Sequence, residues 1–156
     1  MTYRITGLSP DPFVALIGAD DATLAEHGAE RVTAAAKPGY PCRITLDDAD
    51  PGETLILLNH VSHDVATPYR SAYAIFVREA AVETASFEDA VPPVFENRPM
   101  AFRAFDKAGM LRNAALALPG EADAKIRALF DQPEIAYLHA HNAAHGCFSA
   151  TVERCA

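Results

Sequence analysis

The sequence has little positive charge and gathers none of it into a patch. Lysine and arginine number 13 against 21 aspartates and glutamates, so the net charge is −8, and no stretch gathers four or more basic residues. Proteins that bind nucleic acids present a basic face, because contacts to phosphate supply much of their affinity. The composition therefore disfavours nucleic acid as a partner.

Long apolar runs are also missing. Runs such as Phe13–Ile17 and Leu55–Leu58 fall far below the roughly 20 residues that a membrane-spanning helix needs. The opening residues, MTYRITGLSPDPF, lack the basic and then apolar segments of a secretory signal peptide. These features predict no membrane partner and a cytoplasmic location.

Cysteine and glycine are present but form no familiar binding motif. The three cysteines, Cys42, Cys147 and Cys155, have no Cys-x-x-Cys spacing, so neither a disulfide framework nor a zinc ribbon is indicated. The eight glycines form no phosphate-binding loop. We therefore expect a reducing compartment and no nucleotide site of this kind.

The length and apolar content are those of one folded domain. The 156 residues are 50% hydrophobic and 22% charged, which is normal for a globular chain and too apolar for disorder. We predict a single globular domain over residues 1–156.

Local patterns predict an α+β fold with a mainly antiparallel sheet and two or three short helices, because strands and helices do not alternate regularly. Helices are predicted from Pro12 to about Ile17, from Asp20 or Asp21 to His27, and over Glu121–Asp131. Tyr3–Thr6 is a short strand, and Arg31–Ala36 favours strand over helix. The remaining predicted strands are Cys42–Leu46, Thr54–Asn59, Ala72–Val77, Ala101–Phe105, Leu111–Leu118, Ile135–His141 and Cys147–Glu153.

The last two of these strands form a hairpin that carries the most informative pattern. Their even-numbered residues are small or apolar. With a turn at Asn142–Gly146, both even faces are buried together, and His141 pairs with Cys147. The same register pairs His139 with Ser149 and Tyr137 with Thr151. The odd face is then a polar patch, formed by Tyr137, His139, His141, Cys147, Ser149, Thr151 and Glu153.

Three kinds of chemistry fit this patch. His139 and His141 have the spacing to share a divalent metal, with a third ligand from Cys147, Glu153 or a neighbouring strand. Alternatively, His141 beside Cys147 would favour the thiolate and act as the base for a nucleophile. A small polar ligand bound by Tyr137, His139, His141 and Ser149 is the third interpretation. An ordinary solvated strand face would show the same residue types.

Two upstream segments offer further site residues. His60 and His63 would each supply another metal ligand if their segment folds over the hairpin, although polar residues are common after a strand. Arg43 is predicted to stand on the same side as His139 and His141 and to hold an anion through its forked donors. A surface ion pair is the simpler explanation for Arg43.

Several segments together resemble a bacterial family called domain of unknown function 1203. They are Gly39-Tyr40-Pro41-Cys42-Arg43, Asp50-Pro51-Gly52-Glu53, Thr67-Pro68-Tyr69 before Ile75-Phe76-Val77, Arg103-Ala104-Phe105-Asp106 with Gly109-Met110, and Ala136-Tyr137-Leu138-His139-Ala140-His141-Asn142 followed by Gly146-Cys147-Phe148. One departure is Tyr73-Ala74, where the family pattern has Gly-Pro. The resemblance implies a bacterial single-domain protein and transfers no catalytic role.

The expected function is the binding of a small polar or anionic ligand on the odd face of the terminal hairpin. His139 and His141 would be donors or metal ligands there, and Arg43 the anion clamp. A thiol-dependent enzyme with Cys147 as nucleophile and His141 as base is the alternative. A protein-interaction module without chemistry is the third hypothesis.

Overall fold

The chain folds into two antiparallel β-sheets with three short helices, and the computed structural model describes all 156 residues. The strands are β1 (Tyr3–Thr6), β2 (Glu30–Thr33), β3 (Thr54–His63), β4 (Ser71–Arg78), β5 (Ser86–Glu88), β6 (Met100–Phe105), β7 (Leu111–Ala117), β8 (Tyr137–Asn142) and β9 (Phe148–Arg154). The helices are α1 (Asp21–Glu26), α2 (Pro93–Glu96) and α3 (Ala122–Phe130). The predicted α+β class with antiparallel sheets is confirmed.

The larger sheet has six strands in the order β5-β1-β9-β8-β6-β7. Its even face at the terminal hairpin is fully buried, as the alternation predicts, through Leu138, Ala140, Ala150 and Val152. Helix α3 covers this face with the predicted apolar stripe of Ala122, Ile126, Leu129 and Phe130. Burial of each large apolar side chain contributes about 1.5–3 kcal/mol, so this face anchors the hairpin.

The smaller sheet has three strands in the order β2-β3-β4. A second apolar core forms beside it from Ile56, Ile75 and Val77 with Phe13 and Leu24. Helix α1 begins as predicted, because the Asp20 carboxylate accepts a hydrogen bond from the Thr23 backbone N–H at 2.8 Å. No helix is both long enough and apolar enough to cross a membrane.

The two sheets meet at the odd face of β8. The ring of His139 lies 4.9 Å from that of His63 in β3, and the ring of His141 lies 5.0 Å from that of Tyr73 in β4. His139 and His141 are therefore buried between sheets. The expected alternative of a solvated polar face does not occur at these two positions.

The predicted strand Cys42–Leu46 is wrong, and the difference positions Arg43. This segment forms a turn, held by a bond from the Leu46 N–H to the Cys42 carbonyl and one isolated bridge to Phe76. The end of β1 lies so close that a Cβ on Gly7 would press on the carbonyl of Ile44. Backbone contacts with distant segments fix this turn, and alternation within the segment carries no information on them.

Two further predictions are wrong in detail. The helix predicted from Pro12 to about Ile17 is a 3₁₀ turn over Asp11–Phe13, because the N–H groups here bond to carbonyls three residues back. The sequence patterns predict no helix or strand over residues 82–99, which contain β5 and α2. Strand β5 pairs with β1 at the sheet edge, and a three-residue strand is too short to show a period.

Candidate functional site

The terminal hairpin has a different register from the predicted one. His141 pairs with Phe148, His139 with Thr151 and Tyr137 with Glu153, so the predicted pairs with Cys147, Ser149 and Thr151 are wrong. The turn is tighter by one residue, since the Asn142 N–H bonds to the Cys147 carbonyl at 3.0 Å. A bulge between Ala140 and His141 then shifts the register once more. Each one-residue shift exchanges the two faces of the strand, so two shifts restore the predicted faces. The predicted burial pattern is therefore right, although the predicted residue pairs are wrong.

The bulge changes which side chains share a face. Ser149 occupies the bulge and is buried. Phe148 is turned toward the histidines, with its ring 5.1 Å from that of His139 and 5.9 Å from that of His141. Cys147 is left at the turn, next to Asn142. The sequence pattern put Phe148 on the other face, because it contains no sign of the bulge.

An aromatic group that we call the histidine cluster fills the space between the sheets. Its members are His63, Phe105, Tyr137, His139, His141 and Phe148. The three histidines are 3%, 5% and 2% exposed in sequence order. The sequence hypothesis that His63 joins His139 and His141 therefore has a geometric basis.

Hydrogen bonds fix the tautomers of two histidines in the cluster. His63 Nδ1 donates to the Tyr69 carbonyl at 2.8 Å, so its Nε2 accepts a bond of 2.6 Å from the Tyr137 hydroxyl. His141 Nδ1 donates to the Gly146 carbonyl at 2.9 Å. Both nitrogens of His63 are thus engaged within the protein.

Burial keeps His139 and His141 uncharged at neutral pH. Burial, with smaller contributions from His63, His141 and Arg103, lowers the pKa of His139 to about 3. Burial likewise lowers the pKa of His141 to about 4, against a smaller opposing effect of its bond to Gly146. An imidazole with so low a pKa is poorly matched to general-base catalysis near pH 7.

No three histidine, cysteine, aspartate or glutamate side chains are arranged to hold a metal ion. His60 points away from the cluster, with its ring 5.9 Å from that of Phe13. His63, which does join His139 and His141, has both ring nitrogens bonded to Tyr69 and Tyr137. The geometry gives the metal hypothesis no support.

Arg43 is the most unusual side chain in the structure. It is 2% exposed, and it donates to the Phe148 carbonyl at 2.8 Å, the Pro41 carbonyl at 2.5 Å and Cys147 Sγ at 2.9 Å. Burial lowers its pKa, and Cys147 opposes that effect, but a guanidinium stays protonated at neutral pH. None of its partners is a carboxylate, so the simpler expectation of a surface ion pair is wrong.

A cavity of about 520 Å³ opens beside Arg43 and Cys147, and we call it the Arg43 cavity. It lies between strand β4, the turn of the terminal hairpin and the segment around Pro41. Its polar lining consists of Arg43, Tyr73, Arg98, Asn142, His145 and Cys147. Leu57, Phe76 and Pro41 contribute apolar surface.

The cavity contains some of the predicted site residues and not others. Arg43 and Cys147 line it, whereas Tyr137, His139, His141 and Ser149 do not. Sequence reasoning missed Tyr73, Arg98 and Asn142. Of these, only Asn142 carried a signal, since it belongs to the family-like segment after the two histidines.

Positive charge exceeds negative charge around the cavity. Arg98 is paired with the buried Asp48 at 2.8 Å. Arg103 donates to the Tyr73 hydroxyl at 2.8 Å and has no acidic partner within salt-bridge distance. Neither Arg43 nor Arg103 therefore has a carboxylate partner, in a chain whose net charge is −8.

Asn142 leaves an acceptor unused at the same place. It is 6% exposed, and its Nδ2 donates to Cys147 Sγ at 3.5 Å. Its Oδ1 is buried and has no hydrogen-bond partner. An unsatisfied buried carbonyl costs about 1–3 kcal/mol, so a donor entering the cavity from outside would be favourable here.

Comparison with known proteins identifies a family and nothing more. No curated protein and no solved structure matches the chain. The family model described as Protein of unknown function (DUF1203) matches residues 39–154, a range that includes Arg43, Cys147 and the whole histidine cluster. The family resemblance of the sequence motifs is confirmed, and the chain belongs to the DUF1203 family.

Proposed function

We propose that the protein binds a small anionic molecule in the Arg43 cavity. The observation that carries the proposal is the buried Arg43 guanidinium, which lines the cavity without a carboxylate partner. Burying an unpaired charge costs several kcal/mol, and proteins usually compensate that cost with a counterion. An anionic ligand would supply it.

The donors of Arg43 are only partly used. A guanidinium has five N–H groups, and three acceptors contact Arg43, one on each nitrogen. The remaining two N–H groups suit a planar anion such as a carboxylate, which matches the guanidinium fork. Arg98 is less free, because Asp48 already holds it.

The cavity walls indicate the rest of the ligand. A volume of about 520 Å³ is within the range of small-molecule sites, roughly 300–1,000 Å³. Leu57 and Phe76 offer apolar contact at the wall, while Arg43 and Asn142 offer polar contact. We therefore infer a carboxylate with an apolar or aromatic body as the best-fitting ligand class.

The histidine cluster has a supporting role in this proposal. His139 and His141 pack against Phe148, whose carbonyl accepts the Nε bond of Arg43. The cluster thereby helps to hold Arg43 in place and does not contact the ligand.

We also infer a cytoplasmic location, because all three cysteines are unpaired and free thiols are typical of reducing compartments.

A charge placed at the cavity wall tests the proposal without disturbing Arg43. Ala74 and Ala72 are both exposed on the same face of β4, and only Ala74 lines the cavity. We expect benzoate, titrated by NMR, to shift the amides of Arg43 and Asn142. Ala74→Glu should raise the Kd of benzoate about tenfold, or ~1.4 kcal/mol, because the glutamate and the carboxylate repel at short range.

Ala72→Glu is the matched control, and we expect it to raise the Kd of benzoate less than about threefold, because screening weakens the more distant charge. Neutral benzamide tests the need for the anion and should bind at least about tenfold more weakly than benzoate. Equal binding of benzoate and benzamide, or equal effects of the two glutamates, would refute the proposal.

A further inference from the structure

We propose that Cys147 is a nucleophile whose sulfur attacks an electrophilic carbon of a small anionic substrate held in the Arg43 cavity. This inference rests on the anion binding proposed above and names the reactive group and the substrate class. The partner of the thiol is Arg43. His141 does not have this role, because it bonds to Gly146.

The surroundings of the sulfur support a thiolate. Arg43 Nη2 donates to Cys147 Sγ at 2.9 Å, and Asn142 Nδ2 donates to it at 3.5 Å. A neutral thiol is a weak acceptor, whereas a thiolate beside a cation is stabilised and is the reactive form of cysteine. The short contact to a guanidinium is typical of a charge-assisted hydrogen bond.

The other cysteines lack a cavity and a hydrogen bond from a buried guanidinium. Cys42 is 1% exposed, and its sulfur accepts bonds from the backbone N–H groups of Ile44 and Arg78. Cys155 is half-buried near the surface cation Arg4, and its sulfur accepts no hydrogen bond. Cys147 alone lines a cavity together with a buried guanidinium.

Asn142 is an independent sign of a bound molecule. Its Oδ1 is buried and has no hydrogen-bond partner. Asn142 also lines the cavity and donates from Nδ2 to the sulfur of Cys147. A substrate with a donor group would satisfy this oxygen. The site therefore consists of a nucleophile, a cation and an unused acceptor around one cavity.

Two cations allow the thiolate and the substrate anion to be present together. Arg43 contacts the sulfur, and Arg103 bonds to the Tyr73 hydroxyl in the cavity wall with no acidic partner. Arg103 is not part of the cavity lining, so it adds positive charge behind the wall, while Arg43 is the cation placed to contact both the sulfur and the anion. Both arginines stay protonated throughout.

The covalent step is a simple displacement. The thiol first loses its proton to water. The sulfur lone pair then forms a bond to the electrophilic carbon, while the bond from that carbon to its leaving group breaks and the leaving group departs with the electron pair. With iodoacetate the products are a carboxymethyl thioether on Cys147 and iodide, and no oxidant or reductant is needed.

Iodoacetate and iodoacetamide test the inference, because they share an electrophile and differ in charge. The whole protein is treated with each reagent, and modification at every cysteine is followed by peptide mass spectrometry. We expect iodoacetate to modify Cys147 at least about tenfold faster than Cys155. The ratio of the iodoacetate rate to the iodoacetamide rate should be about tenfold higher at Cys147 than at Cys155.

Variants separate the roles of the charge and the thiol. Ala74→Glu should slow iodoacetate at Cys147 about tenfold and change iodoacetamide little. Arg43→Met should slow the reaction of Cys147 with both reagents. If Arg43→Met does not fold, Ala74→Glu still tests the role of the charge. Cys147→Ser should abolish labelling at this position.

Two results would overturn the inference in distinguishable ways. If benzoate binds and Cys147 reacts no faster than Cys155 with either reagent, the nucleophile is refuted and anion binding stands. If Cys147 reacts rapidly with iodoacetamide and shows no preference for iodoacetate, the anionic substrate class is refuted, together with the proposed function.

Discussion

Lowering the pH from 7 to 4 is expected to destabilise the fold by on the order of 5 kcal/mol through His139 and His141. Unfolding returns both imidazoles to a pKa near 6.5, whereas burial lowers the pKa of His139 to about 3 and that of His141 to about 4. At pH values below 6.5 and above these lowered pKa values, the unfolded chain binds protons that the folded chain does not. Stability is therefore full above about pH 6.5, falls as the pH drops, and levels off near pH 3–4.

Urea unfolding at pH 7 and at pH 4 measures this loss, and a pair of variants assigns it. His139→Phe should lose about 2–3 kcal/mol less than the parent protein between the two pH values, because one buried titrating group is gone. The exposed His27 is the control, and His27→Gln should retain the full loss. Carboxylates with a lowered pKa, such as Glu79 with a pKa of about 2, also lose part of their stabilisation near pH 4, because the unfolded chain binds protons there. This loss is common to all three proteins. An unchanged pH dependence in His139→Phe would contradict the buried, neutral state of His139.

Arg43→Ala is expected to reduce the free energy of unfolding by about 3–5 kcal/mol at pH 7. The substitution removes the donor from the carbonyls of Phe148 and Pro41 and leaves a void where a fully buried side chain was. Relief of the buried charge offsets part of this loss. Urea unfolding monitored by circular dichroism measures the change.

Two further variants set the scale for Arg43→Ala. Arg43→Met fills most of the space and removes the charge, so we expect a smaller loss of about 1–3 kcal/mol. Arg4 forms an ion pair with Glu88 at the surface, and Arg4→Ala should cost less than about 1 kcal/mol. A cost for Arg43→Ala no larger than that for Arg4→Ala would show that Arg43 does not hold the cavity wall.

The elements that the sequence predicts correctly are those with a local signal. The stripe of α3, the cap at Asp20 and the even face of the terminal hairpin follow from residue periodicity or from one side chain next to a helix start. Arg43 and Cys147 belong to two of the family-like segments, and the structure brings them into contact although they lie 104 positions apart.

The candidate site was only partly predictable, because it depends on contacts between distant segments. The bulge at Ser149 and the tight turn after Asn142 leave no mark in the alternation of polar and apolar residues. The burial of Arg43 arises from a turn packed against the end of β1, which no pattern within residues 41–46 reveals. Strand alternation places His139 and His141 on one face of the hairpin but carries no sign that the second sheet covers this face.

The central claim is that Arg43 holds an anion in its cavity, and a crystal structure with 4-bromobenzoate tests it most directly. Anomalous scattering locates the bromine and so fixes the orientation of the molecule. We predict the carboxylate at about 3 Å from the Arg43 guanidinium and the bromine toward Leu57 and Phe76. Bromine density outside the cavity, or a carboxylate turned away from Arg43, would contradict the account.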